Sequence, residues 1–291
     1  MPISRRHILC GTFSSLALAF TACSGASPDP VASSGTGSAG NGQFRTLDQI
    51  KSSGTVRIGV FSDKAPFGYI DADGKPAGYD VVYAERIGKD LGAQVDYVPV
   101  EAASRVEFLQ TAKVDIILAN FTVTPERGEK VDFANPYMKV SLGVVSPDSA
   151  LITEEPQLAG KKVIVVKGTT AEAWLAKNHP EIEPDKYEQY NDATSALADG
   201  RGDAWVTDNT EALAWAIASD GFTAGITALG DPDSIAGAVT KGNGTLLSWL
   251  NEHLVTLGKE QFFHADFEQT LRPVYGDSAS AEELVVEGGQ L

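Results

Sequence analysis

The sequence predicts an α/β fold of two lobes, each a largely parallel sheet flanked by helices. Three observations carry this. Strand and helix patterns alternate over residues 55–118. A second alternation of the same kind runs over 162–218 without obvious sequence identity to the first. After 239 the pattern changes to long helix. Alternation of this kind implies parallel strands, with ligands beyond their carboxyl ends.

In the first unit, Val56, Ile58 and Val60 alternate, which predicts a strand over 55–61. Residues 71–75, DADGK, read as a hairpin turn. A helix over 80–91 places Val81, Ala84, Ile87 and Leu91 on one face, and Gly92 ends it. A strand follows over 95–100. A helix over 104–111 turns Val106 and Leu109 inward, and a strand covers 114–118. Residues 138–146 read as a strand without a helix of its own.

In the second unit, a strand over 162–166 leads through Gly168, Thr169 and Thr170 into a helix over 171–177. A short strand over 187–190 precedes a helix over 193–198. A strand over 203–207 ends at Asp208, where a helix over 211–218 opens. After a strand over 235–239, Leu247, Leu250, Leu254 and Leu257 form one helical stripe that Gly258 should stop. Helix resumes over 261–271 with Phe262, Phe263 and Phe267. Residues 278–291 read as an acidic, mobile tail in which Val285 and Val286 can add an edge strand.

The chain has 291 residues, 43% apolar and 21% charged, which is the composition of a globular protein. Its net charge is −16. Residues 1–22 carry Arg5 and Arg6 and no acid, so the charge without them is −18. A chain this acidic should avoid nucleic acid and anionic membrane surfaces. Its two cysteines, Cys10 and Cys23, both precede the folded body. That excludes a disulfide framework, a thiolate metal cluster and a cysteine nucleophile there. The four histidines do not pair at metal-ligand spacing, so no metal and no cofactor is expected.

Residues 1–22 read as a targeting segment, with Arg5 and Arg6 before an apolar run over 8–20. Residues 4–9, SRRHIL, resemble a twin-arginine signal; the general secretory route is the alternative. Residues 20–23, FTAC, resemble a bacterial lipobox, which makes Cys23 the lipidated mature N-terminus, with palmitate among its expected chains. Several acyl chains anchor far better than one, at about 0.8 kcal/mol per buried methylene. A plain secreted protein cut near Ala22 is the alternative. Residues 23–45 form a Gly-, Ser-, Ala- and Pro-rich tether with a root-mean-square reach of about 25 Å.

The chemistry centres on residues 118–137, LANFTVTPERGEKVDFANPY. Thr124 before Pro125 reads as an N-cap and first helical position, placing Arg127 in a first turn beside free backbone N–H groups. A guanidinium fork, the hydroxyls of Thr122 and Thr124, and free amides at a strand end make a carboxylate receptor. The bland alternative is a surface turn. Thr169 and Thr170 offer hydroxyls at another helix N-terminus, or serve only as a cap. Asp208 is the candidate partner for an ammonium, or only an N-cap.

These residues lie within a wider resemblance. TPER followed by VDFANPY resembles the amino-acid class of extracellular solute-binding proteins of ABC importers. GVFSDKAPFGYID, EAASRVEFL, VDIILANFTVTPER, KGTTAEAW, RGDAWVTDNT, LGKEQFFH and VVEGG look closest to its cysteine-binding lipoprotein branch. The resemblance runs from about Thr46 to about Gly289. It implies the two-lobed periplasmic-binding-protein, or Venus-flytrap, fold, with lobe 1 at 46–142 and 236–277 and lobe 2 at 143–235. Crossovers near 141–145 and 234–237 would form the hinge.

By this resemblance Arg127, Thr122, Thr170 and Asp208 occupy ligand-binding positions, with the carbonyl of Asn120 or Phe121 as a further ammonium contact. Phe61, Lys64 and Tyr79 occupy ligand-covering positions; Tyr79 lies against the ligand or is a core aromatic. Arg105 is a second candidate cation. If Lys64 or Arg105 faces the cleft, aspartate or glutamate becomes a plausible ligand; if both face solvent, cysteine fits better. The implied protein is a monomeric, non-enzymatic receptor anchored outside the cell membrane, with a free amino acid and ABC permease subunits as partners. Alternatives are a dehydratase of prephenate-like acids, for which Glu107 is a candidate general acid unless it faces solvent on its helix, and a surface adhesin.

Overall fold

The computed structural model describes residues 44–290. The targeting segment, Cys23 and most of the tether therefore lie outside the described residues. Arg45, expected at the end of the tether, is held by the fold: its guanidinium pairs with buried Asp115, which also takes the side chain and backbone N–H of Arg57.

In chain order the first elements are α1 (Leu47–Ser53), β1 (Thr55–Val60), β2 (Asp63–Lys64), β3 (Gly68–Ile70), β4 (Pro76–Ala77), α2 (Tyr79–Leu91), β5 (Gln94–Pro99), α3 (Arg105–Gln110), β6 (Ile116–Ile117) and α4 (Pro125–Gly128). Then come β7 (Val131–Pro147), β8 (Val163–Val166), α5 (Thr170–Asn178), β9 (Asp185–Tyr187), α6 (Tyr190–Ala198), β10 (Ala204–Asp208), α7 (Asn209–Ile217) and β11 (Phe222–Thr240). The chain closes with α8 (Gly244–Glu260), α9 (Phe262–Asp266), α10 (Arg272–Tyr275) and α11 (Ala281–Leu284).

Eight strands pair in the order β5-β1-β6-β11-β7-β10-β8-β9. Strands β5, β1 and β6 are mutually parallel, as are β10, β8 and β9. These two groups are the parallel sheets of the two lobes. Between them run β7 and β11, 17 and 19 residues long and antiparallel to each other. β6 pairs with Ala238 and Val239 of β11, while β10 pairs with residues 142–145 of β7. Each long strand thus serves the first lobe at one end and the second at the other. Register shifts between Leu229 and Asp233, opposite Leu142 and Val140, mark the crossing. Such bulges bend a strand and raise its local twist.

The apolar stripe of α2 is buried as expected, with Ile87 fully enclosed and Leu91 nearly so. It packs on an aromatic cluster in which Tyr83, Tyr137 and Phe263 have ring centroids 5.0–5.5 Å apart. Asp71 builds the expected hairpin turn by accepting the N–H groups of Asp73 and Lys75.

Three expectations are corrected. Gly258 does not stop α8, which continues to Glu260 and turns at Gln261 in a left-handed conformation, φ 54°. Gly258 instead admits close backbone contact: a Cβ there would lie 2.6 Å from the Cα of Gly288. That contact belongs to the C-terminal segment, which is packed rather than loose. Ala281, Val285 and Val286 are buried, Val285 bridges Met138, and the Val286 N–H donates to the Tyr137 carbonyl. Tyr190, expected at a strand end, is the first residue of α6.

Candidate functional site

The carboxyl ends of the strands meet at the seam between the lobes. On the first-lobe side, the chain leaves β6 through Asn120, a non-glycine residue in the left-handed region, φ 43°. That conformation is held by buried Asp80. One Asp80 oxygen accepts the Asn120 N–H at 2.7 Å and the other accepts the Tyr137 hydroxyl at 2.6 Å. Burial pushes the Asp80 carboxyl up to about 6, against the two hydrogen bonds. Sequence reasoning missed Asp80. The signal was present, because residues 80, 84, 87 and 91 share one helix face, so an acid tops an apolar stripe.

Thr124 caps α4 as expected: its hydroxyl accepts the Arg127 N–H, and Pro125 follows. The Arg127 guanidinium is half-buried and donates to the carbonyls of Thr122 at 2.7 Å and Gly168 at 2.9 Å. Arg105 lies deeper, 2% exposed, and donates to the carbonyls of Ala102, Ala119, Asn120 and Gly168. Both guanidiniums stand against the Phe121 ring, 4.5 Å for Arg105 and 4.8 Å for Arg127 from its centroid. Among the described residues, every hydrogen bond of these two side-chain cations ends on a neutral carbonyl. Burial, together with the neighbouring Arg105 charge, pulls Arg127 down to about 9. Two desolvated like charges with no carboxylate between them favour an incoming anion.

Gly168 belongs to the second lobe, so its carbonyl closes the seam onto both arginines. Its φ of +73° and the 2.5 Å that would separate a Cβ from the Cα of Ala103 explain why glycine stands there. Thr169 is the N-cap of α5, accepting the Glu172 N–H and donating to the Val166 carbonyl. Its hydroxyl is thereby committed to the cap. Thr170 is the first residue of α5 and lies partly exposed beside Gly168. Thr122 is buried and bridges Ile235 of β11.

The second pole of the seam is acidic. Asp208 ends β10, and although it occupies the cap position of α7 its side chain makes no cap hydrogen bond. It accepts the ammonium of Lys64 at 2.8 Å. The same ammonium donates to Asn120 Oδ1 at 2.8 Å and the Tyr190 hydroxyl at 3.2 Å, and lies 3.4 Å from Glu211 Oε2. Burial works against the Lys64 charge, but Asp208 and Glu211 outweigh it and hold the lysine above its ordinary value. Burial raises Glu211 to about 7, the reverse of what Lys64 and the Thr207 hydroxyl do. Phe61 lies under both Lys64 and Arg105 and meets Tyr190 edge-on, centroids 5.3 Å apart. A cavity of about 310 Å³ opens behind this cluster; Pro66, Tyr190, Glu211 and Trp215 line it.

The structure therefore brings Arg127, Arg105, Thr122, Asn120, Phe61, Lys64, Asp208 and Thr170 to one seam. Tyr79 is not among them. It is fully buried in the first-lobe core, its ring about 6 Å from those of Tyr137 and Phe263, because the first turn of α2 faces that core. The carbonyls expected to meet an ammonium are already engaged: Asn120 O by Arg105, and Phe121 O by the Ala236 N–H. Neither Lys64 nor Arg105 faces solvent, so the condition under which cysteine was expected to fit better is not met. Glu107 faces solvent, beside Lys113, so it stands over no cleft. Glu211 and Tyr190 were missed. A buried acid one turn into α7, spaced with Ala214 and Ala218, was the available signal.

The model of the bacterial extracellular solute-binding proteins, family 3, matches residues 56–267. The ABC transporter glutamine-binding protein GlnH of Bacillus subtilis is 31% identical over 215 residues, covering 72% of this chain and 78% of GlnH. The crystal structure of the solute receptor for L-cysteine of Neisseria gonorrhoeae is 49% identical with a TM-score of 0.82, covering 84% of this chain and 100% of that one. The cysteine-binding protein of Campylobacter jejuni is also 49% identical, with a TM-score of 0.81 and coverage of 83% and 98%. The chain belongs to the bacterial extracellular solute-binding proteins, family 3.

Proposed function

We propose that this protein is the receptor of an ABC amino-acid importer and binds a small polar amino acid between its lobes, cysteine first and aspartate or glutamate next. The observation that carries this is the pair of desolvated guanidiniums, Arg127 and Arg105, whose hydrogen bonds among the described residues all end on neutral carbonyls. A ligand carboxylate supplies the missing anion, with Arg127 as fork and Thr122 and Thr170 beside it. Asp208, one seam-width away, takes the ammonium in company with Lys64. Phe61 forms the floor. The two relatives at 49% identity, both cysteine receptors, favour cysteine.

In this reading 46–142 and 236–277 move as one body, 143–235 as the other, and β7 and β11 flex at the crossing. Gly168 reaching Arg105 and Arg127, and Lys64 reaching Asp208, are then contacts of the closed form that docks on the permease. Cys23 carries the lipid anchor and holds the monomeric receptor on the outer face of the membrane. The residue suggested as general acid in the dehydratase reading, Glu107, is exposed beside Lys113.

The test is a melting screen of the purified protein against the twenty amino acids and cystine, with and without reductant. Ligand binding adds about 2.7 kcal/mol at a hundredfold excess over Kd. A rise with cysteine alone supports the cysteine assignment, and a rise with aspartate or glutamate alone moves the assignment to those. No rise with any amino acid overturns the receptor reading.

A further inference from the structure

We infer that Lys64 is a tethered cation that fills the acidic pole of the cleft and thereby sets the ligand class: amino acids with short, uncharged or acidic side chains are admitted, and those with cationic side chains are refused. This rests on the carboxylate role of Arg127 above and deepens it.

Lys64 is 1% exposed, although lysine is among the residues least often buried. Four oxygens surround its ammonium, from Asp208, Asn120, Tyr190 and Glu211, at 2.8, 2.8, 3.2 and 3.4 Å. The rings of Tyr190, Phe61 and Phe67 enclose it, with centroids 4.6, 5.6 and 5.8 Å from Nζ. Carboxylates, a phenol, an amide oxygen and aromatic faces together make an ammonium-binding site. The cation in it comes from the chain itself: Lys64 is in β2 of the first lobe, while Asp208, Glu211 and Tyr190 are in the second.

A ligand bearing a cationic side chain would compete with an ammonium held by its own backbone, whose effective concentration is about millimolar or higher. It would also bring a further positive charge to a seam already holding Arg105, Arg127 and Lys64, and like charges in a desolvated site exclude a wrong partner. An α-amino acid with a short neutral or acidic side chain meets neither obstacle. Its single ammonium shares Asp208, whose oxygens have lone pairs beyond the one that Lys64 takes.

A purely structural lysine, bolting the lobes together, predicts that its removal weakens every ligand equally. A tethered cation predicts that removal creates a vacant ammonium site and reverses the selectivity. The test uses the mature protein as wild type, Lys64→Ala and Lys64→Arg. Each is titrated calorimetrically with cysteine, aspartate, diaminopropionate, diaminobutyrate, ornithine, lysine and arginine. Each is also melted in ethylammonium or butylammonium chloride against sodium chloride at equal ionic strength.

The expected result is that Lys64→Ala binds at least one cationic amino acid tenfold or more tighter than wild type does. Its melting temperature also rises with alkylammonium, which leaves wild type and Lys64→Arg unmoved. If Lys64→Ala does not fold, Lys64→Ala/Glu211→Gln, with one fewer unpaired buried acid, carries the same test. A uniform loss of affinity, with no gained ligand and no alkylammonium effect, overturns the inference. So does an alkylammonium effect without any gained amino acid, because the site would then play no part in selection. If wild type binds no amino acid, the receptor reading fails by itself; absence of the alkylammonium shift would then also remove the cation site.

Discussion

Asp80→Asn isolates the residue that fixes the first-lobe side of the cleft. Asp80 is fully buried and divides its two oxygens between the Asn120 N–H and the Tyr137 hydroxyl. Burial raises its carboxyl to about 6 from an ordinary 3.8. Because the folded value is the higher one, the folded chain keeps this proton where the unfolded chain has lost it. The stabilising contribution is therefore complete below about pH 4 and is lost as pH rises through about 6. At about 1.4 kcal/mol per pH unit, the loss comes to about 3 kcal/mol. An amide has no such titration. At pH 4 it stands in for the protonated carboxyl, its oxygen accepting the Asn120 N–H and its NH2 donating to the Tyr137 hydroxyl oxygen, so the exchange costs little there. Urea unfolding of both proteins at pH 4, 5, 6 and 7 gives the difference in stability at each pH, in which the other titrating groups largely cancel. Asp80→Asn should match wild type to within about 1 kcal/mol at pH 4 and should gain on it by about 3 kcal/mol by pH 7. Ligand affinity should fall at every pH, because Asn120 carries contacts to both Lys64 and Arg105. A stability difference that stays flat with pH would refute the assignment of a raised, proton-holding carboxyl.

Other substitutions probe the remaining parts. Asp115 is held below its ordinary value by Arg45 and Arg57, against the opposing effect of burial, so its contribution is present above about pH 4 and is lost as pH falls through the depressed value. Asp115→Asn should lose about 2–4 kcal/mol at pH 7 and show a shallower acid limb in pH-dependent melting. Gly168→Ala places a Cβ 2.5 Å from the Cα of Ala103 across the seam. It should weaken ligand binding at least tenfold by calorimetry while changing the stability of the unliganded protein by only about 1 kcal/mol, the cost of a side chain at positive φ.

The architecture was legible because periodicity is a local property. Strands with buried alternate residues and helices with one apolar face leave that pattern whatever they pack against, and the two alternating units emerged from it. The crossing strands read short because β7 and β11 are exposed along one part and buried along another, which interrupts any single period. Gly258 was misread because a glycine late in a helix serves equally as a stop or as a point of close backbone approach, and only the position of Gly288 decides. The site was legible where chemistry sits at chain punctuation: Thr124-Pro125 before Arg127, and Asp208 at a strand end. Glu211 and Tyr190 were not, because their partner Lys64 comes from the other lobe, and Asp80 lies inside a helical pattern while its partners Asn120 and Tyr137 are 40 and 57 residues away. Tyr79 and Lys64 show the same dependence in opposite senses. The aromatic expected over the ligand turned into the core, and the lysine, a residue type usually solvated, is the one enclosed at the seam.

The central claim is that Arg127 receives the carboxylate of an amino acid. Calorimetric titration of wild type and Arg127→Ala with the best ligand from the melting screen, and with its methyl ester, tests this most directly. The ester keeps the ammonium and side chain and replaces the carboxylate by a neutral group one methyl larger. The account predicts that the ester binds wild type at least about a hundredfold more weakly than the free acid, a loss of about 2.7 kcal/mol or more. It also predicts that Arg127→Ala loses most of that preference, with Arg105 alone left to favour the acid. An ester that binds wild type as tightly as the acid, or an Arg127→Ala variant that tells the two apart as well as wild type does, would contradict it.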